Sequence, residues 1–276
     1  MLVGLGELLR PVNMALTGAV VVVGGILVGR KVSVDLSPLI PAALSAMMVG
    51  GGANSLNDFY DRRIDALNRP HRPIPSLRVT PEMAAVWGGM LMVGGVIWGW
   101  NLNVTCGIIA SGVALLLWAY NVRLKHLPLI GNIVVALSGG LAFVYGATAL
   151  YHPTYSLFPF LFATLIHLAR EIVKDVEDLP GDRSLFSRTL PIVWGVKRSL
   201  RLASALLGIL IILTVIPFVI HLYGKGYLVL VLLLTDIPLL VVLIQLWMDT
   251  QGKRASLWSR ALKGAMIGGL IALYVG

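Results

Sequence analysis

Charged residues are scarce in this sequence: Asp, Glu, Lys and Arg make up only 13% of its 276 residues, against about 25% in an ordinary soluble domain. Cysteine is almost absent. The single Cys106 lies inside an apolar run, which excludes disulfides and cysteine metal sites. Apolar residues make up 57% of the chain, and its mean hydropathy is +0.86. This composition excludes a disordered chain, a disulfide scaffold and an ordinary soluble enzyme, and it is typical of a membrane protein.

Long apolar runs fill most of the chain, and a membrane-spanning helix needs ~20 mostly apolar residues. The sequence therefore predicts an all-α membrane protein with a single domain over 1–276 and about nine transmembrane helices. Small residues let such helices approach closely, so we interpret the tracts at 50–52 and 94–95 as packing sites. The nine predicted spans are 11–29, 39–57, 83–100, 104–121, 131–150, 155–173, 198–221, 226–247 and 259–275.

The basic residues lie mostly on one side of the predicted membrane. With a cytoplasmic amino terminus, 19 of the 22 Lys and Arg residues fall in cytoplasmic segments, leaving only Arg30, Lys31 and Lys225 on the other side. Cytoplasmic loops are generally enriched in Lys and Arg, so this bias predicts the orientation in the cell membrane. The net charge of +9 is therefore a signal of orientation and does not indicate a nucleic-acid partner.

Acidic residues are concentrated in two short segments, which hold eight of the 13 Asp and Glu residues. In the first segment, Asp58, Asp61 and Asp65 are spaced by three and then four residues, so they share one helix face with Asn54 and Asn57. Three carboxylates on one face repel each other unless a cation lies among them. Hard oxygen ligands of this kind suit Mg²⁺, which also binds substrate phosphates.

The second acidic segment repeats this spacing with Asp175, Asp178 and Asp182, although Pro180 and Gly181 are expected to break the helix before Asp182. Both segments follow predicted spans on the cytoplasmic side. Two such stripes facing each other predict a paired Mg²⁺ site around a diphosphate. Four cations are available to balance its charge: Arg72, Lys125, Lys174 and Arg183.

Other interpretations of the charged residues stay open at this point. Acids at a helix end also form solvated caps or surface ion pairs. A transporter for ions or phosphate would place ionisable residues near the bilayer midplane; His167 and Asp236 lie within spans, but we interpret both as structural because neither has a clear partner. A non-catalytic lipid-binding bundle would not need two carboxylate sets. The clustering at one face favours a catalytic site.

The two acidic segments resemble the signatures of a known family, the intramembrane UbiA-type prenyltransferases. The first signature, N-D-x-x-D-x-x-x-D, stands here from Asn57 to Asp65, and the second, D-x-x-x-D, from Asp178 to Asp182. The predicted spans and the positions of the motifs agree as well. Four further pieces are similar to the family: residues 10–13, residues 69–75, Tyr120 and Lys125. One departure is Leu77, because the family commonly has a glycine before the arginine that is Arg78 here.

This resemblance implies Mg²⁺-dependent transfer of an isoprenyl group from its diphosphate to an acceptor, with helices around a central cavity and cytoplasmic cap loops that carry the motifs. Two Mg²⁺ ions are expected, held by Asn57, Asp58, Asp61, Asp175, Asp178 and Asp182. Contacts to the diphosphate are expected from Asn13, Asn54, Arg72, Lys174 and Arg183. Catalytic roles are expected for Asp65, Tyr120 and Lys125, with Asp65 as a candidate general base.

The chemistry that this implies is consistent with elementary principles. Metal ions and cations stabilise a departing diphosphate and so make C1 of the allylic group electrophilic. A cavity open to lipid would receive the apolar tail, at ~0.8 kcal/mol per buried CH₂. It would also keep water away from an allylic cation.

A closer likeness within the family indicates the acceptor. Residues 170–178, with residues 124–125 and 131–132, are most similar to the archaeal lipid branch, the digeranylgeranylglyceryl phosphate synthases. That branch transfers geranylgeranyl from its diphosphate to the hydroxyl of geranylgeranylglyceryl phosphate, making an ether bond of the membrane lipid. An aromatic acceptor such as 4-hydroxybenzoate, or a quinone precursor, stays an alternative because those prenyltransferases share both motifs.

Overall fold

The computed structural model describes residues 1–184 and 188–276, without the side chains of Asn68 and of residues 180–184. The described part contains thirteen α-helices, joined by turns, by loops such as residues 69–80, and by short 3₁₀ segments. They are α1 (Leu2–Leu8), α2 (Pro11–Gly29), α3 (Leu39–Tyr60), α4 (Arg62–Asn68), α5 (Pro81–Leu102), α6 (Val104–Val122), α7 (Ile130–Ala149), α8 (Leu157–Ser184), α9 (Leu190–Trp194), α10 (Val196–Val219), α11 (Lys225–Val231), α12 (Ile237–Met248) and α13 (Ala255–Val275). A π-helical turn, Leu232–Asp236, joins α11 to α12.

Eight helical segments among the described residues are long and apolar enough to cross a membrane. Each of the first eight predicted spans overlaps one of them, and the eighth segment, Lys225–Met248, includes α11, the π-helical turn and α12. The ninth predicted span, 259–275, lies within α13, which is not among the eight. The count of nine transmembrane helices therefore stays a prediction.

Helix α8 corrects one expectation about the second acidic segment. It continues to Ser184, so the break expected at Pro180 and Gly181 is wrong. A proline inside a helix lacks one N–H donor and crowds the carbonyl four residues earlier, at a cost of ~3 kcal/mol or more. Pro180 lies close to the end of a long helix, where few hydrogen bonds follow it. Asp175, Asp178 and Asp182 therefore stand on one continuous helix.

The chain divides into two compact units, of which the first consists of Met1–Leu124 and Leu141–Tyr155. Its helices α3 and α5 pack through their backbones. A Cβ atom on Gly52 would lie 2.5 Å from the carbonyl oxygen of Gly88, and one on Gly88 would lie 2.8 Å from that of Gly52. A Cβ on Gly95 would likewise lie 2.8 Å from the Ser45 carbonyl oxygen. The glycine tracts at 50–52 and 94–95 are thus confirmed as packing sites.

Hydroxyl groups also connect the helices of the first unit. Ser45 Oγ on α3 lies 2.7 Å from the Gly95 carbonyl oxygen on α5 and 2.7 Å from the Tyr145 hydroxyl on α7. Ser55 Oγ donates to the Ala84 carbonyl oxygen at 2.8 Å. Such bonds between spans satisfy polar groups that would otherwise face hydrocarbon. They fix α3, which carries the first acidic residues, against its neighbours.

The second unit consists of Lys125–Gly140 and Ser156–Gly276, and its helix α8 packs against α10 and α13. Asp236 in the π-helical turn is buried, with its two carboxylate oxygens 3.1 and 3.0 Å from Thr214 Oγ1 on α10. The Tyr227 hydroxyl donates to the Thr214 carbonyl oxygen at 2.7 Å. Asp236 therefore has a partner that the sequence did not reveal, in keeping with a structural role.

Candidate active site

The first acidic segment lies across the end of helix α3. This helix ends at Tyr60 and α4 begins at Arg62, so Asp61 occupies the junction between them. Asp58 on α3 and Asp65 on α4 are each only 4% exposed. Carboxylates at this depth need compensating partners, because burying an unpaired charge is very costly. The side chains around Asp58 and Asp65 must therefore supply this compensation.

Two arginines supply the compensating charge. Arg72 Nη1 donates to Asp65 Oδ2 at 2.6 Å and to Asp58 Oδ1 at 3.1 Å. Arg10 Nη2 donates to the same Asp58 Oδ1 at 2.9 Å and to Asn57 Oδ1 at 2.9 Å. Arg72 was expected near a diphosphate, and the structure places it between two buried acids of the first motif.

Arg10 reaches this position from a strained backbone. Its φ is +55°, in the left-handed region, directly before Pro11 at the start of α2. A residue other than glycine pays ~1–2 kcal/mol for this conformation, and such strain tends to cluster at functional sites. Sequence reasoning did not place Arg10 among the site residues, although the similarity of residues 10–13 to the family pointed to it.

A chain of amide hydrogen bonds orients the first motif. Asn57 Nδ2 donates to Asp61 Oδ2 at 2.9 Å and to Asn121 Oδ1 at 3.2 Å. Asn121, which is buried at the end of α6, donates in turn to the Ala53 carbonyl oxygen at 3.0 Å. Sequence reasoning missed Asn121, because one asparagine at the end of an apolar run carries no distinctive signal.

Three other predicted residues lie in the first unit. Asn54 Nδ2 donates to the Leu9 carbonyl oxygen at 3.1 Å, which ties α3 to the segment that holds Arg10. Asn13 stands in the first turn of α2 and Tyr120 in the last turn of α6. The substrate contacts expected of these three side chains stay predictions.

The environment of Asp65 changes its acidity. Burial raises the pKa of this carboxyl, and the neighbouring carboxylates Asp58 and Asp61 act in the same direction, whereas Arg72 lowers it. Burial is the largest of these influences, so the net pKa lies above the ordinary value. A raised pKa makes this carboxyl a better proton acceptor than an ordinary aspartate.

The second acidic segment lies in the second unit. Asn132 Nδ2 on α7 donates to Asp175 Oδ2 at 2.9 Å. One helical turn earlier, Glu171 is 7% exposed and accepts from Arg170 Nη1 at 2.9 Å and from Lys174 Nζ at 3.4 Å. Lys174, expected to contact the diphosphate, is thus paired with an acid that sequence reasoning did not single out.

The remaining predicted residues lie on α8 and in the turn before α7. Asp178 is partly exposed, one helical turn beyond Lys174 on α8. Lys125 lies in a short 3₁₀ turn, Leu124–His126. The side chains of Asp182 and Arg183 lie outside the described residues, so their expected roles rest on the motif alone.

The side chains of the motifs fit Mg²⁺ by their chemistry. Asp58 and Asp65 each receive side-chain hydrogen bonds from described residues on one carboxylate oxygen, and the second oxygen can take another ligand. Among the described residues, no three His, Cys, Asp or Glu side chains form a group that could hold a metal by itself. Mg²⁺ does not require such a group, because it is usually bound by one or two carboxylates, waters and substrate phosphates.

Comparison with known proteins shows which family the chain belongs to. The model of the UbiA prenyltransferase family matches residues 18–267. The chain belongs to the UbiA prenyltransferase family. Digeranylgeranylglyceryl phosphate synthase from Methanopyrus kandleri is 37% identical to this UbiA-family chain over 268 residues, which cover 96% of each protein. The match includes residues of both units, and the single-domain organisation stays a prediction.

Solved structures of UbiA-family proteins share the fold. One of a digeranylgeranylglyceryl phosphate synthase has a TM-score of 0.82 and 29% identity, covering 100% of this chain and 98% of that one. A UbiA homolog from Archaeoglobus fulgidus bound to GPP and Mg²⁺ has a TM-score of 0.68 at 16% identity, covering 98% and 99%. The expected all-α, multi-pass membrane fold of the family is confirmed.

Proposed function

We propose that this UbiA-family protein transfers a geranylgeranyl group from geranylgeranyl diphosphate to the hydroxyl of geranylgeranylglyceryl phosphate, in the synthesis of an archaeal-type ether lipid. The observation that carries the proposal is the 37% identity to the M. kandleri synthase along 96% of both proteins. The buried acids of the first motif, held by Arg10 and Arg72, support it. The partners are then an isoprenyl diphosphate donor, a lipid acceptor and the bilayer.

The proposed cofactor is Mg²⁺, as in the A. fulgidus homolog bound to GPP and Mg²⁺. When bound, Mg²⁺ supplies positive charge that stabilises the diphosphate as it departs. We propose two ions, because the acidic motif occurs twice. The side chains proposed to hold them are Asn57, Asp58, Asp61, Asp175, Asp178 and Asp182.

The protein's own side chains account for the remaining steps. The C–O bond between the diphosphate and C1 of the geranylgeranyl group breaks, and the acceptor oxygen forms a new bond to C1. The acceptor hydroxyl loses its proton, and Asp65 is the proposed base because burial raises its pKa. Arg72 and Lys174 balance the charge on the diphosphate oxygens, and Tyr120 and Lys125 complete the proposed set.

Loss of the first motif should stop the reaction. We expect Asp58→Asn to lower Mg²⁺-dependent diphosphate release by ~100-fold or more, the scale of removing one group that stabilises developing charge. Asp35→Asn is the matched control, because Asp35 is exposed and lies far from the motifs in sequence. Both purified variants are assayed in detergent alongside the wild type. Wild-type turnover in a folded Asp58→Asn variant would contradict the proposal.

The acceptor is tested by direct competition. The purified protein receives geranylgeranyl diphosphate and Mg²⁺ together with equal amounts of geranylgeranylglyceryl phosphate and 4-hydroxybenzoate, and mass spectrometry separates the products. We expect the double ether lipid phosphate as the main product. Prenylation of 4-hydroxybenzoate alone would contradict the proposed lipid acceptor, but it would still support prenyltransferase activity.

A further inference from the structure

Helix α8 carries three hidden polar atoms that have no hydrogen-bond partner among the described residues. They are Thr164 Oγ1, His167 Nδ1 and Arg170 Nε. Residues three apart follow one another along a broad face of a helix, so these atoms form a row over successive turns. An unpaired buried polar atom costs ~1–3 kcal/mol. Thr164 lies against Gly140 of α7. The unpaired atoms of His167 and Arg170, on successive turns, indicate that a polar partner from outside the chain belongs beside them.

The neighbouring helix α7 does not supply that partner. It runs antiparallel to α8, because Asn132 meets Asp175 whereas Gly139 lies opposite His167, nearer the start of α8. A Cβ atom on Gly139 would lie 2.8 Å from Cδ2 and Nε2 of the His167 ring, and one on Gly140 would collide with Thr164. At this level α7 therefore offers glycines, which have no side-chain acceptor.

The charges around Arg170 favour an anion as the missing partner. Each oxygen of the Glu171 carboxylate faces a different cation: Oε1 pairs with Arg170, and Oε2 pairs with Lys174. These three side chains together carry one excess positive charge. Glu171 contacts Arg170 only at Nη1. The guanidinium edge with Nε thus remains available, and the planar guanidinium matches the geometry of a phosphate.

We propose that Arg170, with His167, binds the phosphate group of the acceptor, and that Glu171 is a positioning residue for Arg170. The proposal rests on the proposed function, and it gives His167 a role beyond the structural one expected from the sequence. This face of α8 would then recognise the phosphate monoester of the acceptor.

The position of Arg170 along α8 favours the acceptor phosphate over the donor diphosphate. The diphosphate is assigned to the end of the helix with Asp175 and Asp178, and Arg170 lies about 7.5 Å from Asp175 along the axis at 1.5 Å per residue. In the acceptor, two carbons and an ester oxygen separate the reacting hydroxyl from the phosphorus. A site one to two turns from the diphosphate therefore suits the acceptor phosphate.

The experiment compares two acceptors that differ only in the phosphate, geranylgeranylglyceryl phosphate and geranylgeranylglycerol. We expect the wild type to prefer the phosphorylated acceptor in kcat/KM. Arg170→Gln should reduce this preference by ~10–100-fold, the scale of a lost charge-assisted hydrogen bond. The KM for geranylgeranyl diphosphate should stay unchanged. Arg198→Gln removes an exposed arginine of the same unit and should keep the full preference.

A second variant guards against misfolding of Arg170→Gln. His167→Phe keeps an aromatic ring at this position and should lower the preference ~5-fold, as for one neutral hydrogen bond. A separate measurement follows the unfolding temperature with geranylgeranylglyceryl phosphate alone, without donor or Mg²⁺. We expect stabilisation of the wild type, and less for His167→Phe.

The outcomes separate this inference from the proposed function. An unchanged preference in both variants would overturn the inference, as would a raised KM for the donor with the preference intact. A wild type that prenylates neither lipid would instead overturn the proposed function. In that case, stabilisation by the phosphorylated lipid that depends on His167 and Arg170 would still support the phosphate site. If the lipid gave no such stabilisation, the phosphate site would be overturned as well.

Discussion

Arg72 shows how much one side chain carries in the first motif. It bridges the buried carboxylates Asp58 and Asp65, so its loss would leave both with less compensating charge. Breaking a buried ion pair from one side costs ~3–5 kcal/mol. We therefore expect Arg72→Gln to lower the free energy of unfolding by that amount, measured by thermal unfolding in detergent with a chelator present.

A double variant separates this pairing from a general effect of residue 72. Adding Asp65→Asn to Arg72→Gln removes the second buried charge, so much of the lost stability should return. The single variant Asp65→Asn is also measured, which completes a double-mutant cycle. Additive losses in the double variant would argue against the Arg72–Asp65 pair.

Leu77 carries a local conformational cost. Its φ is +58° and its side chain is 90% exposed, so it adopts a left-handed conformation with little burial in return. This is the position where the family commonly has glycine. Because the conformation costs another residue ~1–2 kcal/mol, we expect Leu77→Gly to raise the free energy of unfolding by ~0.5–1 kcal/mol after the glycine's entropy is counted.

The control for Leu77 is another exposed leucine in an ordinary helical conformation. Leu67 lies in α4, where glycine costs ~1 kcal/mol relative to good helix formers. Leu67→Gly should therefore lower the unfolding temperature while Leu77→Gly raises it. A decrease in both variants would show that the left-handed backbone of Leu77 is not strained.

Between helices, the contact of α3 with α5 depends on the absence of a side chain. A Cβ atom on Gly88 would meet α3 at 2.8 Å, whereas Gly89 has nothing within 4 Å of such an atom. Overpacking costs ~1–3 kcal/mol, so we expect Gly88→Ala to lower the unfolding free energy by that amount. Gly89→Ala, the matched control one residue away, should be neutral or stabilising by up to ~1 kcal/mol. Equal effects would contradict the proposed contact.

At the scale of helices, the sequence predicted spans well and side-chain partners poorly. Bilayer thickness sets the length of an apolar run, so eight predicted spans overlap observed helices. Local signals failed at Pro180, where the helix continues. The partners of the motif could not be read from spacing, because Arg10 and Asp58 are 48 residues apart and Asn57 and Asn121 are 64 apart.

For the whole molecule, the distribution of charge predicts which side of the membrane carries the motifs. We propose the cytoplasmic side, since 19 of 22 basic residues lie there in the predicted orientation. Starting from Cys106→Ser, which removes the single buried cysteine, Lys31→Cys and Arg254→Cys each add one exposed thiol. In whole cells, a membrane-impermeant maleimide should label the Lys31→Cys variant directly and the Arg254→Cys variant only after permeabilisation. The reverse pattern would invert the topology.

The paired arginines of the first motif have one further consequence, for a cell that runs short of magnesium. Because Arg10 and Arg72 already neutralise the buried acids, this unit has an internal substitute for the metal charge. We therefore expect the folding of this unit not to depend on the ion supply, whereas the proposed prenyl transfer does depend on it. A cell short of magnesium would then lose the proposed activity without losing the fold of this unit, and the activity would return with the ion.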